Sequence, residues 1–519
     1  MKHKWLVCTT IVGVLAALAL SLGAAAQEAE PPVLAVVDLA GPPDALGLPV
    51  YAHLQAAGGQ EYALVVAAPS QLEQSNSAYQ RLDTYWSTAE RQPGQDGLAY
   101  YIALLSNSVP ERRPGAQGQA ARLVDVLHDD GRQLVVRATP AQAEALAELG
   151  FELHRLGDTP LVWRTSPDSA AAPSGTETWP DPLVASMIDQ VQQSALYSAT
   201  ARLSGEWPAL VGGELYTFTT RHTSSGEPLQ KATQYAYEQL QALGLDVSYH
   251  NWSLNGYSNR NVAGVLTGTL RPDEIVLVVA HIDDLPPSGR APGADDNASG
   301  SVAVLTAAEI FSHYLFERTL RFVLFTGEEQ GLLGSTAYAD AVYAAGENVV
   351  AVYNMDMIAW DALGGPVMEL HTRLTSNPGY PADLAIAGVF TQVVSAYGLS
   401  GSLTPIIDPD GISASDHSPF WARGYPAILA IEEHPGDFNE YYHTANDRLV
   451  YLDMAYFTAM VKASVGTVAH LAYPQDPQPV SVALRTFAAR GDLAAGLAGL
   501  GMVLVWGVVC VRRRICSKN

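Results

Sequence analysis

The stretch EIVLVVAHIDD, residues 274–284, decides the fold of this chain. It begins with an apolar run and ends abruptly in the polar residues His281, Asp283 and Asp284. A short run that is apolar at every position is typical of a strand buried on both faces, as in a parallel sheet covered by helices. The polar end of this run is therefore predicted to lie at the carboxyl edge of such a sheet, where α/β proteins place their sites.

Three further apolar runs in the same part of the chain end in a similar way. They are LRFVLFTG (320–327) before Glu328 and Glu329, VVAVYNM (349–355) before Asp356, and PAILAI (426–431) before the loop that carries His443. Helical periodicity recurs between the runs, over residues 229–243, 298–314 and 382–396. This alternation predicts an α/β fold, a doubly wound and mostly parallel sheet with helices on both faces.

The polar residues at these strand ends predict a metal site. A fifth segment, PGADDNASG (292–300), adds Asp295 and Asp296 before a helix. Any one of these pieces alone is more often a solvated turn or a helix cap. Together they bring several carboxylates to one sheet edge, which is costly in mutual repulsion unless a cation offsets it. The chain has only three cysteines, all near its ends, so His and carboxylate groups would have to hold a zinc ion.

The ordered segments AHIDD, PGADDNASG, FTGEEQGLLGS, VYNMDM, SASDHSPF and YYHTANDR resemble the co-catalytic dizinc exopeptidases. That family includes secreted bacterial aminopeptidases, glutamate carboxypeptidase and glutaminyl cyclases, and the resemblance covers about residues 185–472. It implies a zinc exopeptidase-like fold that binds two Zn²⁺ ions per chain. Carried over by position, Asp295 would bridge both ions, His281 and Asp356 would complete one site, and Glu329 and His443 the other.

The resemblance also implies roles beside the metal ligands. Glu328 would be the general base, and Asp283 would fix the tautomer of His281. A cis peptide bond is expected between Asp295 and Asp296. His417 is interpreted as lying outside the ligand set. Some secreted aminopeptidases have a tyrosine that polarises the substrate carbonyl where this chain has Ile412, so another donor or the metals would have to stabilise the oxyanion.

The implied activity is a zinc-dependent exopeptidase that cleaves peptide substrates. A carboxypeptidase needs basic residues to hold a terminal carboxylate, and the motifs have only the scattered Arg290, Arg423 and Arg448 nearby. We therefore expect an aminopeptidase, in which two zinc ions activate a water molecule with Glu328 as the base. The alternatives are a carboxypeptidase, a single-zinc glutaminyl-cyclase-like acyltransferase and a catalytically silent ectodomain. Because no expected ligand is missing, the last two are disfavoured.

The rest of the chain divides by composition. Residues 27–156 are predicted to form an α+β accessory domain or pro-domain, with a ferredoxin-like arrangement as the candidate fold. A linker rich in Ser, Pro, Ala and Thr over 157–182 precedes the peptidase domain over 183–473. A second, Pro-rich linker covers residues 474–492. The first domain shows no catalytic cluster in its sequence.

Both ends of the chain predict export and a membrane anchor. Residues 1–26 combine two lysines, an apolar run and small residues, which is typical of a signal peptide, with an uncleaved anchor as the alternative. Residues 493–511 carry no charge and are long enough to span a bilayer, whereas a buried helix fits the following basic residues poorly. The basic tail over 512–519 predicts a cytoplasmic C-terminus and an extracytoplasmic catalytic domain in the cell membrane.

Charge limits the possible partners. The formal net charge is -24, and such a surface repels phosphate backbones, so no nucleic-acid partner is expected. The sequence does not indicate an oligomeric state.

Overall fold

The computed structural model describes residues 30–83, 97–105, 115–164, 179–434 and 436–475. The predicted signal peptide, transmembrane stretch and basic tail lie outside these residues, as do most of both predicted linkers. Among the helices of the described ranges, none is both long and apolar enough to cross a membrane.

The first domain consists of two halves built on the same plan, each with four antiparallel strands. The first half contains β1 (Val33–Asp38), β2 (Val50–Gln55), β3 (Glu61–Ala67), α1 (Pro69–Gln74) and β4 (Tyr79–Asp83). The second half contains β5 (Ala99–Leu105), α2 (Ala116–Leu123), β6 (Asp125–Asp129), β7 (Gln133–Ala138), α3 (Pro140–Glu148) and β8 (Phe151–Arg155). The sheet orders are β2-β3-β1-β4 and β6-β7-β5-β8. The second half thus has the β-α-β-β-α-β order of a ferredoxin-like unit, and the α+β prediction is confirmed.

Local sequence signals explain how the second half presents its edge strand β8. Thr139 caps α3 by accepting a hydrogen bond from Gln142 N, and the Gln142 side chain bonds back to Thr139 N in a capping box. Gly150 follows α3 with a φ of 92°, a conformation that glycine adopts without steric cost. The chain therefore turns sharply from α3 into β8, which lies at the edge of its sheet.

The catalytic domain is built on one eight-stranded mixed sheet flanked by helices. Its strands, with four short ones outside the large sheet, are β9 (Ala209–Val211), β10 (Glu214–Tyr216), β11 (Asp246–Leu254), β12 (Tyr257–Leu266), β13 (Arg271–His281), β14 (Leu315–Phe316), β15 (Arg318–Phe325), β16 (Asn348–Met355), β17 (Val367–His371), β18 (Thr404–Asp408), β19 (Ala427–Glu432) and β20 (Pro474–Gln475). Its helices are α4 (Pro182–Asp189), α5 (Gln193–Leu203), α6 (Glu227–Ala242), α7 (Ala298–Phe311), α8 (Leu333–Ala344), α9 (Tyr380–Ala396), α10 (Ser418–Ala422) and α11 (Met454–Ala472).

The order of the large sheet is β11-β12-β15-β13-β16-β19-β17-β18. Strands β15, β13, β16 and β19 are parallel neighbours, as predicted, whereas β11 and β12 pair antiparallel at one edge. Asn255 and Gly256 explain this edge, because both have positive φ and form the two-residue turn of a hairpin. At the other end of the sheet β17 also runs antiparallel to β19. The predicted α/β class is confirmed, with antiparallel pairs at both flanks of a parallel centre.

Both faces of the sheet are covered. One face carries a large core with residues of α6, α7, α9 and α11, and the other carries a smaller core with residues of α8 and α10. At Gly300, on the first turn of α7, an added Cβ would lie 2.3 Å from Met355 O, so the helix can approach β16 only because this residue is glycine. The parallel direction of the four central strands places their carboxyl ends at one edge.

Candidate metal centre

The structure brings the strand ends together as predicted. His281 is the last residue of β13, Glu328 and Glu329 follow β15, and Asp356 follows β16. Two loops add the remaining groups, Asp296 before α7 and His443 after β19. These six residues are between 1% and 9% exposed. Such burial of four carboxylates and two imidazoles calls for compensation by a cation.

Asp296 connects the two histidines of this cluster. Its Oδ1 lies 3.3 Å from His281 Nε2, and its Oδ2 lies 3.4 Å from His443 Nε2. On the two outer sides, Asp356 Oδ1 lies 3.1 Å from His281 Nε2, and Glu329 Oε2 lies 3.0 Å from His443 Nε2. One carboxylate thus faces two separate groups of ligand atoms, which is the arrangement of a bridging ligand.

Asp295 does not take the bridging place that we expected for it. Its Oδ1 accepts a hydrogen bond from Ala359 N, and its Oδ2 accepts one from Asn439 Nδ2, each at 3.0 Å. Both oxygens therefore point away from His281, and Asp296 replaces Asp295 in the site. Successive side chains of this turn point in different directions, and Asp447 holds the turn by accepting hydrogen bonds from the backbone N–H groups of both aspartates. The cis peptide bond lies between Asp296 and Asn297 rather than between Asp295 and Asp296.

The donor set fits zinc. The facing ligand atoms are separated by 3.0 to 3.4 Å. Zinc–ligand bonds of roughly 2.0–2.1 Å in a tetrahedron require donor atoms about 3.3 Å apart. Glu329 Oε1 is buried and accepts no hydrogen bond, so a ligand atom is left for a cation. Burial raises the pKa of Asp296 to about 7 and the pKa of Glu329 well above its usual range. A bound cation removes this cost of keeping both carboxylates ionised.

Glu328 lies beside the ligands without pairing to His443. It forms a compact group with His281 and Asp356, in which the possible ligand atoms lie within 4.8 Å of one another. Burial raises the pKa of its carboxyl well above the usual range, and the nearby Glu329 adds to this rise against the opposing effect of His281. A carboxyl with a raised pKa, at the wall of a cleft, is suited to accept a proton and pass it on.

Asp283 holds the segment that carries the two glutamates. Its Oδ2 accepts hydrogen bonds from Thr223 Oγ1 at 2.8 Å and from Gly327 N at 2.9 Å. Its Oδ1 lies 3.8 Å from His281 Nδ1, beyond hydrogen-bond distance, whereas the Asp283 carbonyl oxygen lies 3.3 Å from that nitrogen. The predicted contact from Asp283 to His281 thus involves the main chain, and its carboxylate anchors Gly327.

Three supporting residues were not predicted from the sequence. Ser415 Oγ donates to Asp356 Oδ2 at 2.6 Å, and Asn439 joins Asp295 to Asp447. The Arg221 guanidinium is fully buried, and its hydrogen bonds reach four carbonyl oxygens, those of Leu203, Ile282, Pro292 and Gly293. It therefore ties the loop after β13 to the loop before α7. Most of these contacts join residues about 60 to 145 positions apart, so no local sequence pattern predicts them.

His417 lies outside the ligand set, as interpreted. It is buried, its Nε2 hydrogen-bonds the Ile412 carbonyl at 2.8 Å, and burial lowers its pKa to about 3. Ile412 itself lines the cleft beside the metal centre.

The first domain forms one wall of that cleft. Phe151, Glu152 and Leu153 of β8 line it together with the metal-binding groups. His443 Nδ1 donates a hydrogen bond to the carbonyl oxygen of Ala147 at 2.7 Å, which leaves Nε2 facing the cluster. Metal-binding histidines typically use their second nitrogen in this way, which fixes the ring and its tautomer.

A second charged group lies in the cleft wall. His371 Nδ1 lies 3.0 Å from Asp410 Oδ1, and His371 Nε2 lies 3.1 Å from Glu369 Oε2. Burial alone would lower the pKa of His371, but these two carboxylates raise it to about 10. Arg132 of the first domain pairs with Asp410 from the other side. Both ring nitrogens of His371 are thus committed to carboxylates.

The arginines near the motifs do not reach the cleft. Arg290 and Arg448 both pair with Glu206, and Arg423 pairs with Asp340. Among the described residues that line the cleft there is no arginine or lysine.

A family model and known proteins match the part of the chain that carries this site. The model of Peptidase family M28 matches residues 261–468. A probable leucine aminopeptidase of Arthroderma otae is 29% identical over 270 residues, which cover 49% of this chain and 69% of that protein. Leucine aminopeptidase 1 of Trichophyton equinum is 30% identical over 276 residues, which cover 50% of this chain and 72% of that protein. The solved structure of LapB from Legionella pneumophila aligns with a TM-score of 0.53 and 18% identity over 72% of this chain and 100% of that one, a likeness in fold.

Proposed function

Because this chain belongs to peptidase family M28 and is a metallo-aminopeptidase, we propose that it removes N-terminal residues from peptides with two zinc ions and with Glu328 as the general base. The observation that carries the two-metal proposal is the pair of Asp296 oxygens, one facing His281 at 3.3 Å and the other facing His443 at 3.4 Å. A single metal ion would neutralise the charge at only one of these two Asp296–histidine pairs. The other pair, and the Glu329 Oε1 atom that accepts no hydrogen bond, would then lack a counter-charge.

Zinc at this centre would polarise the scissile carbonyl and make a water molecule easier to deprotonate. The chain's own residues do the rest. The Glu328 carboxylate takes the proton of the attacking water and then passes it to the nitrogen of the leaving amine. The Ser415 hydroxyl and the Ala147 carbonyl hold Asp356 and His443 in place. The first-domain wall excludes water from one side of the cleft, which strengthens the electrostatic interactions inside.

The cleft favours an aminopeptidase over a carboxypeptidase. No arginine or lysine lines it within the described residues, and the cationic His371 already contacts Asp410 and Glu369. A terminal carboxylate would therefore find no free cation besides the metals. A single-zinc acyltransferase is disfavoured because the ligand atoms are arranged around two positions.

A direct assay of the zinc-loaded full-length protein tests this proposal. Leucine p-nitroanilide should be hydrolysed, and its N-acetylated and carboxypeptidase-type counterparts should not. Metal analysis should give about two zinc ions per chain. Turnover of only the carboxypeptidase substrate, or a plateau at one zinc ion with full activity, would contradict the proposal.

We also propose that the catalytic domain faces the outside of the cell on a single C-terminal anchor. The uncharged run 493–511 and the basic tail 512–519 support this, although both lie outside the described residues. Protease added to cells with an accessible outer face should release the catalytic domain by cutting near residues 474–479. Full protection under those conditions would contradict this placement.

A further inference from the structure

The first domain brings one carboxylate to the cleft. Side chains alternate along β8, so Phe151 and Leu153 enter the core of the first domain while Glu152 and His154 project from the other face. His154 Nδ1 meets Ser413 Oγ of the catalytic domain at 3.0 Å. Glu152 lies in the cleft wall itself, with only 12% of its side chain exposed. The domain boundary thus passes directly through the substrate cleft.

Glu152 is the carboxylate of the cleft whose negative charge the two proposed zinc ions do not neutralise. Four acidic residues belong to the metal centre, and they are Asp296, Glu328, Glu329 and Asp356. Their four negative charges equal the positive charge of two zinc ions. Glu152 is the remaining carboxylate among the described lining residues, and its Oε1 lies 3.3 Å from His434 Nε2, which forms an ion pair with it only when this histidine is protonated. A largely buried carboxylate in this position is suited to bind a cation.

We infer that Glu152 binds the free α-ammonium group of the substrate, so that the first domain supplies a specificity-determining residue of the active site. This inference rests on the proposed aminopeptidase function. The other cleft residues indicate which substrate cation Glu152 binds. Met357, Ile412, Leu429 and Ile431 form an apolar surface, which suits a substrate with an apolar side chain. A substrate whose side chain is apolar carries its positive charge on the terminal amine, with a pKa of roughly 8.

The contacts of the first domain indicate whether it lines the cleft or blocks it as an inhibitory segment. An inhibitory segment would occupy the ligand atoms, whereas the hydrogen bond from the first domain to His443 is made on Nδ1, the nitrogen that faces away from the cluster. The first domain therefore holds this histidine without covering the nitrogen that faces the metal-binding cluster.

The first experiment measures binding without turnover. In full-length, zinc-loaded protein that carries Glu328→Gln, calorimetry compares leucinamide with 4-methylpentanamide, which has the same side chain and lacks the amine. We expect tighter binding of leucinamide, and we expect Glu152→Gln to remove most of this preference, roughly 10-fold or more for a hydrogen bond to a charged group. Glu148→Gln is the matched control, since Glu148 lies exposed at the end of α3 and should leave the preference unchanged.

The second experiment measures turnover in the otherwise native protein. Glu152→Gln should raise KM for leucine p-nitroanilide by roughly 10-fold while kcat and zinc content stay near the native values, and Glu152→Asp should restore part of the loss. If Glu152→Gln keeps the native preference for leucinamide over 4-methylpentanamide, the inference is wrong. It is also wrong if this substitution changes the turnover of lysine p-nitroanilide alone. An active mature enzyme that lacks residues 27–156 by intact mass would overturn it too. Absence of all peptidase activity in the native protein would instead overturn the proposed function, because the binding experiment does not depend on turnover.

Discussion

The Nδ1 atom of His443 lies 2.7 Å from the carbonyl oxygen of Ala147, which joins the candidate metal centre to helix α3 of the first domain. Further polar contacts cross the same boundary. Glu144 pairs with His222 at 2.8 Å, and Arg132 pairs with Asp410. Because the contact of Ala147 holds a histidine of the cleft wall, docking of the first domain and the geometry of the site depend on each other.

Cutting the chain between the domains should leave the enzyme active. A protease site inserted within residues 165–178 allows the cut to be made after purification. We expect the first domain to remain bound and activity to persist, because other residues, among them Arg132, Glu144 and Ala147, make contacts that dock it. Dissociating the cut domain with salt or mild denaturant should lower activity roughly 10- to 100-fold, the usual effect of losing the outer partner of a metal ligand. Size-exclusion chromatography with an activity assay measures both, and a rise in activity on release would identify an inhibitory pro-domain instead.

The bridging role can be tested on two adjacent aspartates. Asp296→Asn should lower zinc content to about one ion per chain or less and abolish most activity, because the neutral amide keeps one acceptor oxygen and replaces the other with an NH₂ group that cannot bind a metal. Asp295→Asn should keep both zinc ions and lower stability by about 1–3 kcal/mol through its lost hydrogen bonds. Metal analysis and thermal unfolding of both variants decide the matter. The reverse result would restore the role to Asp295.

Substituting each of the two adjacent glutamates should distinguish the general base from the metal ligand. Glu328→Gln should keep its zinc and its melting temperature but lose turnover by about 10²–10⁴-fold, since the proton acceptor is removed with little change in volume. Glu329→Gln should lose zinc and stability together, because metal binding and folding are coupled. Zinc per chain, kcat and melting temperature are the measurements. If Glu328→Gln loses metal or keeps full activity, the two roles are wrongly assigned.

The buried His371 should make stability depend on pH. Its folded pKa of about 10 lies above the unfolded value of about 6.5, so its contribution to stability is complete below pH 6.5 and is lost as the pH rises through 10. His371→Gln should therefore lower the free energy of unfolding by about 3 kcal/mol at pH 6, with the deficit shrinking toward pH 10. The exposed His313→Gln is the control. Denaturant unfolding at several pH values measures this, and a deficit that grows with pH would contradict the charged state assigned to His371.

The sequence predicts the site's scaffold well because the relevant signals are local. Apolar runs that end in polar residues located four strand ends, and the structure places His281, Glu328, Glu329 and Asp356 together at three of them. The sequence could not distinguish Asp295 from Asp296, because both precede α7 and a shift of one residue reverses the direction of the side chain. That direction is set by the distant Asn439 and Asp447.

The contribution of the first domain was not visible in its sequence. Ala147 acts through a main-chain carbonyl, which every residue has, and it meets His443 across 296 positions. Glu152 stands in an ordinary alternating strand, FELHR, that gives no sign of which partner covers it. The prediction of a linker over 157–182 likewise missed a contact with the catalytic domain. Val162 N donates a hydrogen bond to Ala422 O of that domain at 2.9 Å.

In the proposed two-zinc enzyme, the shared carboxylate of Asp296 would make the two metal positions a single thermodynamic unit. An ion that binds beside His281 orders Asp296 for the ion beside His443, and the reverse holds by the same coupling free energy. The orienting gain is opposed by repulsion between two dications, so the balance of the two decides whether half-loaded molecules accumulate. Where the gain exceeds the repulsion, the enzyme passes from empty to fully loaded over a narrow range of free zinc. The supply of free zinc would then set the number of active molecules rather than the activity of each one.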